Sequence, residues 1–222
     1  MGRSLGFARL LAALFVLGLS LNGPVAAGEP DLQSYSLSGL VERLGTDDLT
    51  FRTQVKLELG RQFRLATGPE RAEIIESLLG GMISTKRTAR VDAVAVLQGL
   101  GALQLSTQER TRLADALQLA ILKEQDHTVL SSMVRALPEV QQSDHFISVL
   151  LDVLKITGMS GEDLPRLREE VFLALGRVGE PALPVLMLHL AESPRPAMLA
   201  LSLIKSEQSL AILKENVQHQ EL

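Results

Sequence analysis

Four stretches of this chain echo one another at a nearly fixed interval, and that interval limits the fold more than any single motif does. Aligned on the late apolar residue of an amphipathic segment, Leu59, Leu97, Leu137 and Leu175 stand 38, 40 and 38 residues apart. Aligned on the position that opens the following segment, Thr67, Ser106, Ser143 and Glu180 stand 39, 37 and 37 apart. Two independent landmarks therefore share one period, which is the length of a two-helix repeat. A fifth copy is compressed: Leu173-Ala174-Leu175-Gly176 returns as Leu199-Ala200-Leu201-Ser202 after 26 residues, the form a terminal repeat takes when it closes a stack.

The unit is clearest between Leu167 and Leu190. Leu167, Val171, Ala174, Leu175 and Val178 follow the i, i+4, i+7, i+8, i+11 spacing of one helix face. Gly176 and Gly179 lower helix propensity, so the first helix is expected to stop near Val178. Pro181 then stands where a second helix opens, since a first-turn residue needs no N–H partner. That second helix, from Pro181 to about Ala191, is apolar almost all round. Helices this short are marginal alone in water and gain stability only against neighbours.

The same reading runs along the chain. Leu37, Leu40, Val41 and Leu44 space as a short capping helix before Gly45. Thr46-Asp47-Asp48 offers an N-cap for a helix from Leu49 to about Phe63. Thr67-Gly68-Pro69-Glu70 and Ser106-Thr107-Gln108-Glu109 have capping-box spacing and open helices to about Leu79 and Lys123. Gly80-Gly81 is expected to end the former. Arg87–Leu100 makes the intervening helix. His127–Leu137 is expected to stop at Pro138, Ser143 to cap a helix to about Ile156, and Thr157–Gly161 to form a loop. Pro194–Ile204 and Glu207–Val217 form the last pair, and Gln218–Leu222 a frayed tail. The fold class expected is therefore all-α, an α-solenoid of about five antiparallel helical hairpins. It occupies 49–217, behind a leader and capping helix at 28–48.

Ahead of this lies Met1–Ala27, with the grammar of a secretory signal peptide. Arg3 and Arg9 form a positive start, Leu10–Leu21 an apolar run, and Val25-Ala26-Ala27 a small-residue cleavage site. The run is shorter than the ~20 residues that span a bilayer, so the expectation is an exported chain, periplasmic or secreted, tethered only if the signal is kept. With no cysteine to carry a lipid, a lipoprotein anchor is excluded, and no later segment reads as membrane-spanning. Removing 27 of 222 residues leaves 195 and moves the net charge from −4 to −6, because Arg3 and Arg9 leave. An acidic product argues against nucleic-acid partners, which need clustered Lys and Arg. The absence of cysteine also leaves stability to a core, and with 46% hydrophobic but 3% aromatic residues that core is aliphatic.

At the fourth unit, Arg168-x-x-Val171-x-x-Ala174-Leu175-Gly176-x-Val178-Gly179 resembles the HEAT repeat, especially the short PBS-lyase HEAT-like variety. Arg90-x-x-Ala93-x-x-x-Leu97 is similar to its first half. The third unit departs, with Leu130 at the arginine position, and Glu180 stands where the family has aspartate. The resemblance covers roughly 49–217 and implies a right-handed all-α superhelix used for protein contact. Lyase activity does not transfer with the name.

Second-helix faces supply the candidate site. Counting from each opening position, residues +7 and +11 are Ile74/Leu78, Leu113/Leu117, Leu150/Leu154 and Met187/Ala191, the expected buried faces. Residue +9 lies about 160–200° around the helix from them: Glu76, Asp115, Asp152 and His189. Stacked in register, these make a ridge of three carboxylates ending in a histidine, suited to a basic protein surface. Leu183, Val185, Leu186, Leu188 and Leu190 are either buried between repeats or a contact patch. Arg52, Arg90 and Arg168, each seven before a register leucine, are expected to pair with carboxylates of adjacent hairpins. His127, His145, His189 and His219 show no metal-ligand spacing, and no nucleophile or phosphate-loop motif occurs. No catalytic residue, metal or cofactor is therefore assigned. The function expected is a non-enzymatic scaffold or adaptor in the cell envelope; the alternative is an exported enzyme or ligand-binding protein using the concave groove.

Overall fold

The computed structural model describes residues 32–101, 105–140, 144–157 and 164–220. Among the described residues every regular element is helical, and no strand occurs. The segment read as a signal, Met1–Ala27, lies outside them, as do Ser143, most of the loop after Thr157, and 221–222. Two compact units are present, Met1–Ser34 and Tyr35–Leu222. Of the first, only the 3-10 turn Leu32–Ser34 is described.

The second unit carries eleven α-helices among its described residues: α1 (Leu37–Arg43), α2 (Leu49–Leu65), α3 (Gly68–Met82), α4 (Arg87–Gly101), α5 (Thr107–Ile121), α6 (His127–Val140), α7 (Phe146–Thr157), α8 (Leu164–Val178), α9 (Leu183–His189), α10 (Pro194–Leu203) and α11 (Glu207–Gln220). They pack neighbour to neighbour as an all-α, solenoid-like stack. First helices touch in sequence, α2 on α4, α4 on α6, α6 on α8, and α8 on α10. Second helices follow, α3 on α5 and α5 on α7. Each second helix also leans on the first helix of the next repeat, α3 on α4, α5 on α6, α7 on α8 and α9 on α10. α1 covers α2, α3 and α4 at the start of the row.

Local chemistry sets the starts. Asp48 accepts the Phe51 N–H at 3.0 Å and caps α2. The Thr67 N–H donates to Glu70 Oε2 at 2.7 Å, closing the box over α3. That same donation holds the Glu70 carboxyl below its ordinary range. Ser106 and Glu109 close the second box, the Ser106 N–H donating at 2.6 Å. Glu109 does more, because its carboxylate also pairs with Arg71 of α3 at 3.0 Å. One side chain thus starts a helix and joins it to the preceding repeat.

The register leucines Leu59, Leu97, Leu137, Leu175 and Leu201 are all fully buried. They form an aliphatic seam down the first-helix layer, and each is worth about 1.5–3 kcal/mol of burial. Around the seam, ion pairs link residues about one period apart. Lys56 donates to Asp92 across 36 residues, Arg90 to Glu124 across 34, and Arg135 to Glu170 across 35. Arg52 also reaches Asp92 at 3.3 Å, and Arg168 lies 4.0 Å from Glu192. The arginine column therefore braces successive hairpins, as its spacing predicts.

Two expected stops do not stop the helix. Gly80-Gly81 lies within α3, which runs to Met82. Gly81 is there for space: a Cβ on it would sit 2.9 Å from Val41 Cγ1 and 3.0 Å from Ala93 Cβ. Pro138 likewise lies inside α6, which continues to Val140. Proline removes one N–H from the ladder, but that last turn is held from outside. Pro138 and Val140 are buried, and Arg110 Nη1 donates to the Val140 carbonyl at 2.9 Å. Gly101 of α4 abuts the Glu139 backbone, where a Cβ would come within 2.8 Å of its carbonyl oxygen. Tertiary contacts outweigh the local break signal in both places.

Candidate functional site

The three carboxylates of the ridge are exposed on consecutive second-layer helices: Glu76 on α3, Asp115 on α5 and Asp152 on α7. Their +7 partners Ile74, Leu113 and Leu150 are buried, as are Leu78 and Leu117, while Leu154 is half-buried. The helices thus present acids outward and aliphatic side chains inward. Neighbouring cations temper the charge. Arg112 of α5 reaches back to Glu76 at 2.5 Å, and Lys155 folds onto Asp152 at 2.7 Å within α7. Asp115 has no ion-pair partner among the described residues. It is the acid whose charge is unspent.

His189 does not continue the ridge. Pro181 opens not an α-helix but the 3-10 turn Glu180–Ala182, and α9 begins only at Leu183. A 3-10 turn advances each residue by about 120° rather than 100°, which, with the later start, rotates everything that follows. Counted from the true N-cap Ala182, His189 falls at +7, the position that is buried in the other repeats. Its ring meets the fully buried Phe172 edge-on, with centroids 6.0 Å apart. Its Nδ1 lies 3.4 Å from Glu192 Oε2. Met187 and Ala191, expected to be buried, are exposed for the same reason.

The apolar run of this helix divides. Leu183 and Leu186 are buried, Val185 and Leu190 half-buried, and Leu188 is 75% exposed beside the half-exposed Met187. The buried reading of the run thus holds for Leu183 and Leu186, while Leu188 stands exposed.

A feature not assigned from sequence lies on the opposite layer. Between α6 and α8 a groove of about 470 Å³ opens. One wall is cut low by Thr128, Ser131 and Ser132; the other is raised by Arg166, Glu169 and Glu170, with Leu173 at its end. Arg135 crosses it to Glu170 at 2.8 Å. In the sequence the hydroxyls read as any solvated helix face, and the hollow arises only when α6 and α8 are set side by side.

Among the described residues no group of three or more His, Cys, Asp or Glu is arranged to hold a metal ion, and no helix is long and apolar enough to cross a membrane. Compared with known proteins, the chain matches no family model and no curated protein.

Proposed function

We propose that the chain is an exported, non-enzymatic scaffold of HEAT-like repeats, which docks a protein partner with a basic surface against its second-layer face at Asp115. The reading rests on one observation above the others. Asp115 is an exposed carboxylate with no cation opposite it among the described residues, flanked in register by Glu76 and Asp152, whose charges are already answered. A partner's Lys or Arg would complete the row. Rim charges of this kind set encounter rate and partner choice more than they set affinity. The stacked repeats supply rigidity, because inter-repeat ion pairs and a buried seam fix each helix against the next. Export to the periplasm or the medium follows from the N-terminal pattern alone.

The test is affinity capture from an envelope fraction with wild-type chain and with Asp115→Arg/Asp152→Arg. Both positions are exposed, so circular dichroism should superimpose. The expected result is a basic-surfaced partner recovered by wild type and depleted at least about tenfold by the double reversal. Recovery of the same partner at equal yield would remove the docking face from the account.

A further inference from the structure

We infer that the groove between α6 and α8 is a second binding site, one that takes an extended peptide segment carrying a carboxylate. It stands on the opposite layer from Asp115 and owes nothing to that reading.

The groove's dimensions set the ligand's form. From His127 to Arg135 the α6 wall runs eight residues, about 12 Å at 1.5 Å per residue. An extended chain rises about 3.3–3.6 Å per residue, so this length matches three to four residues lying along the helices. The volume of about 470 Å³ falls within the ~300–1,000 Å³ typical of ligand sites.

Its chemistry sets the ligand's class. Arg135 and Glu170 satisfy each other through two hydrogen bonds, at 2.8 and 3.3 Å, and drop out as ligand groups. The side chains of His127, Ser131, Arg166 and Glu169 all line the groove, and none has a hydrogen-bond or ion-pair partner among the described residues. Arg166 on α8 and His127 on α6 line this groove from its two walls. A guanidinium and an imidazole therefore border the same hollow. Bidentate recognition of a carboxylate is what a free guanidinium does best. One turn on, Glu169 offers only acceptor oxygens and Ser131 both a donor and an acceptor. Peptide N–H and C=O groups, which alternate along a main chain, match that pair. A cationic side chain at Arg166 itself would be repelled, and a featureless apolar peptide would leave four polar groups unanswered.

The source of the carboxylate, an Asp or Glu side chain or a C terminus, is separable by experiment. The full chain would be panned against randomised hexapeptides presented with free and with amidated C termini. Selected peptides should carry Asp or Glu at one fixed position if the side chain is read, or should survive only in the free-terminus arm if the C terminus is read. Binding of a selected peptide, followed by calorimetry, should weaken at least about tenfold in Arg166→Glu and in Ser131→Phe, which fills the hollow. It should be only partly kept in Arg166→Lys, which retains the charge but not the bidentate fork, and unchanged in Asp115→Arg. Arg166 is exposed, so its variants leave the fold intact. Selection of no peptide, selection without a carboxylate, or equal affinity in Arg166→Glu would overturn the site.

Discussion

Replacing Gly176 by alanine lowers stability by about 2 kcal/mol, and by valine about 3 kcal/mol, although both are better shaped than glycine to fill space. Gly176 lies inside α8 where that helix meets α10 with almost no gap. A Cβ there would sit 2.5 Å from the Ala200 carbonyl oxygen and 2.9 Å from its Cα. The obstacle is backbone, so no rotamer change relieves it, and α8 and α10 must move apart. Ala200 and Leu201 are fully buried, so separation opens the seam at its last joint. Gly80 in α3 is the control, because it is exposed and a Cβ on it meets nothing within 4 Å. Gly80→Ala should raise stability by up to about 1 kcal/mol through helix propensity alone. For a domain of this size 1 kcal/mol moves the melting midpoint by roughly 2–4 °C. Scanning calorimetry should therefore show Gly176→Val down by roughly 6–12 °C and Gly80→Ala slightly up. Equal and small shifts at the two sites would mean that α8 and α10 do not touch there.

Asp92→Ala is the second large effect, at about 2 kcal/mol. Asp92 is a buried charge, 7% exposed, and its two oxygens serve two cations on the preceding first helix. Lys56 Nζ lies 2.9 Å away and Arg52 Nε 3.3 Å. Removing the carboxylate leaves two like charges facing one another beside the seam. Losing one partner of a fully buried pair costs about 3–5 kcal/mol. The discount here follows from Lys56, whose side chain retains access to water. Asp92→Asn keeps the shape and an acceptor but not the charge, and should cost less than Asp92→Ala. Urea denaturation should show an earlier midpoint with unchanged slope, the mark of lost stability rather than altered compactness. A loss below about 0.5 kcal/mol would place Asp92 among ordinary surface ion pairs.

The repeat was legible because burial imposes it. A seam residue must be apolar in every copy, so Leu59, Leu97, Leu137 and Leu175 keep step, and capping boxes at Thr67 and Ser106 mark starts through purely local bonds. The arginine column could be read for a related reason, since equivalent positions in a stack face equivalent neighbours. Break signals misled where tertiary contact overrides local preference. Gly81 looks like a helix ender but is a close-approach point, and Pro138 is carried through by what surrounds α6. His189 was misplaced by a single turn. Counting from Glu180 treats the stretch after Pro181 as α-helix, and the 3-10 geometry of Glu180–Ala182 rotates α9 away from the exposed row. The groove had no linear signal, because its walls come from segments about 35 residues apart and its hollow is made by the shortness of Ser131 and Ser132.

All of these readings depend on consecutive hairpins standing side by side in register, and the Arg135–Glu170 pair tests that most directly. The two residues lie on α6 and α8, 35 apart in sequence, joined at 2.8 Å and accessible enough to exchange. Arg135→Glu and Glu170→Arg should each destabilise by about 1 kcal/mol, while the double exchange restores most of the loss, a coupling of about 0.5–1 kcal/mol or more. If the double variant instead loses the sum of the two single losses, the side chains do not meet, and the row of repeats is not built as described.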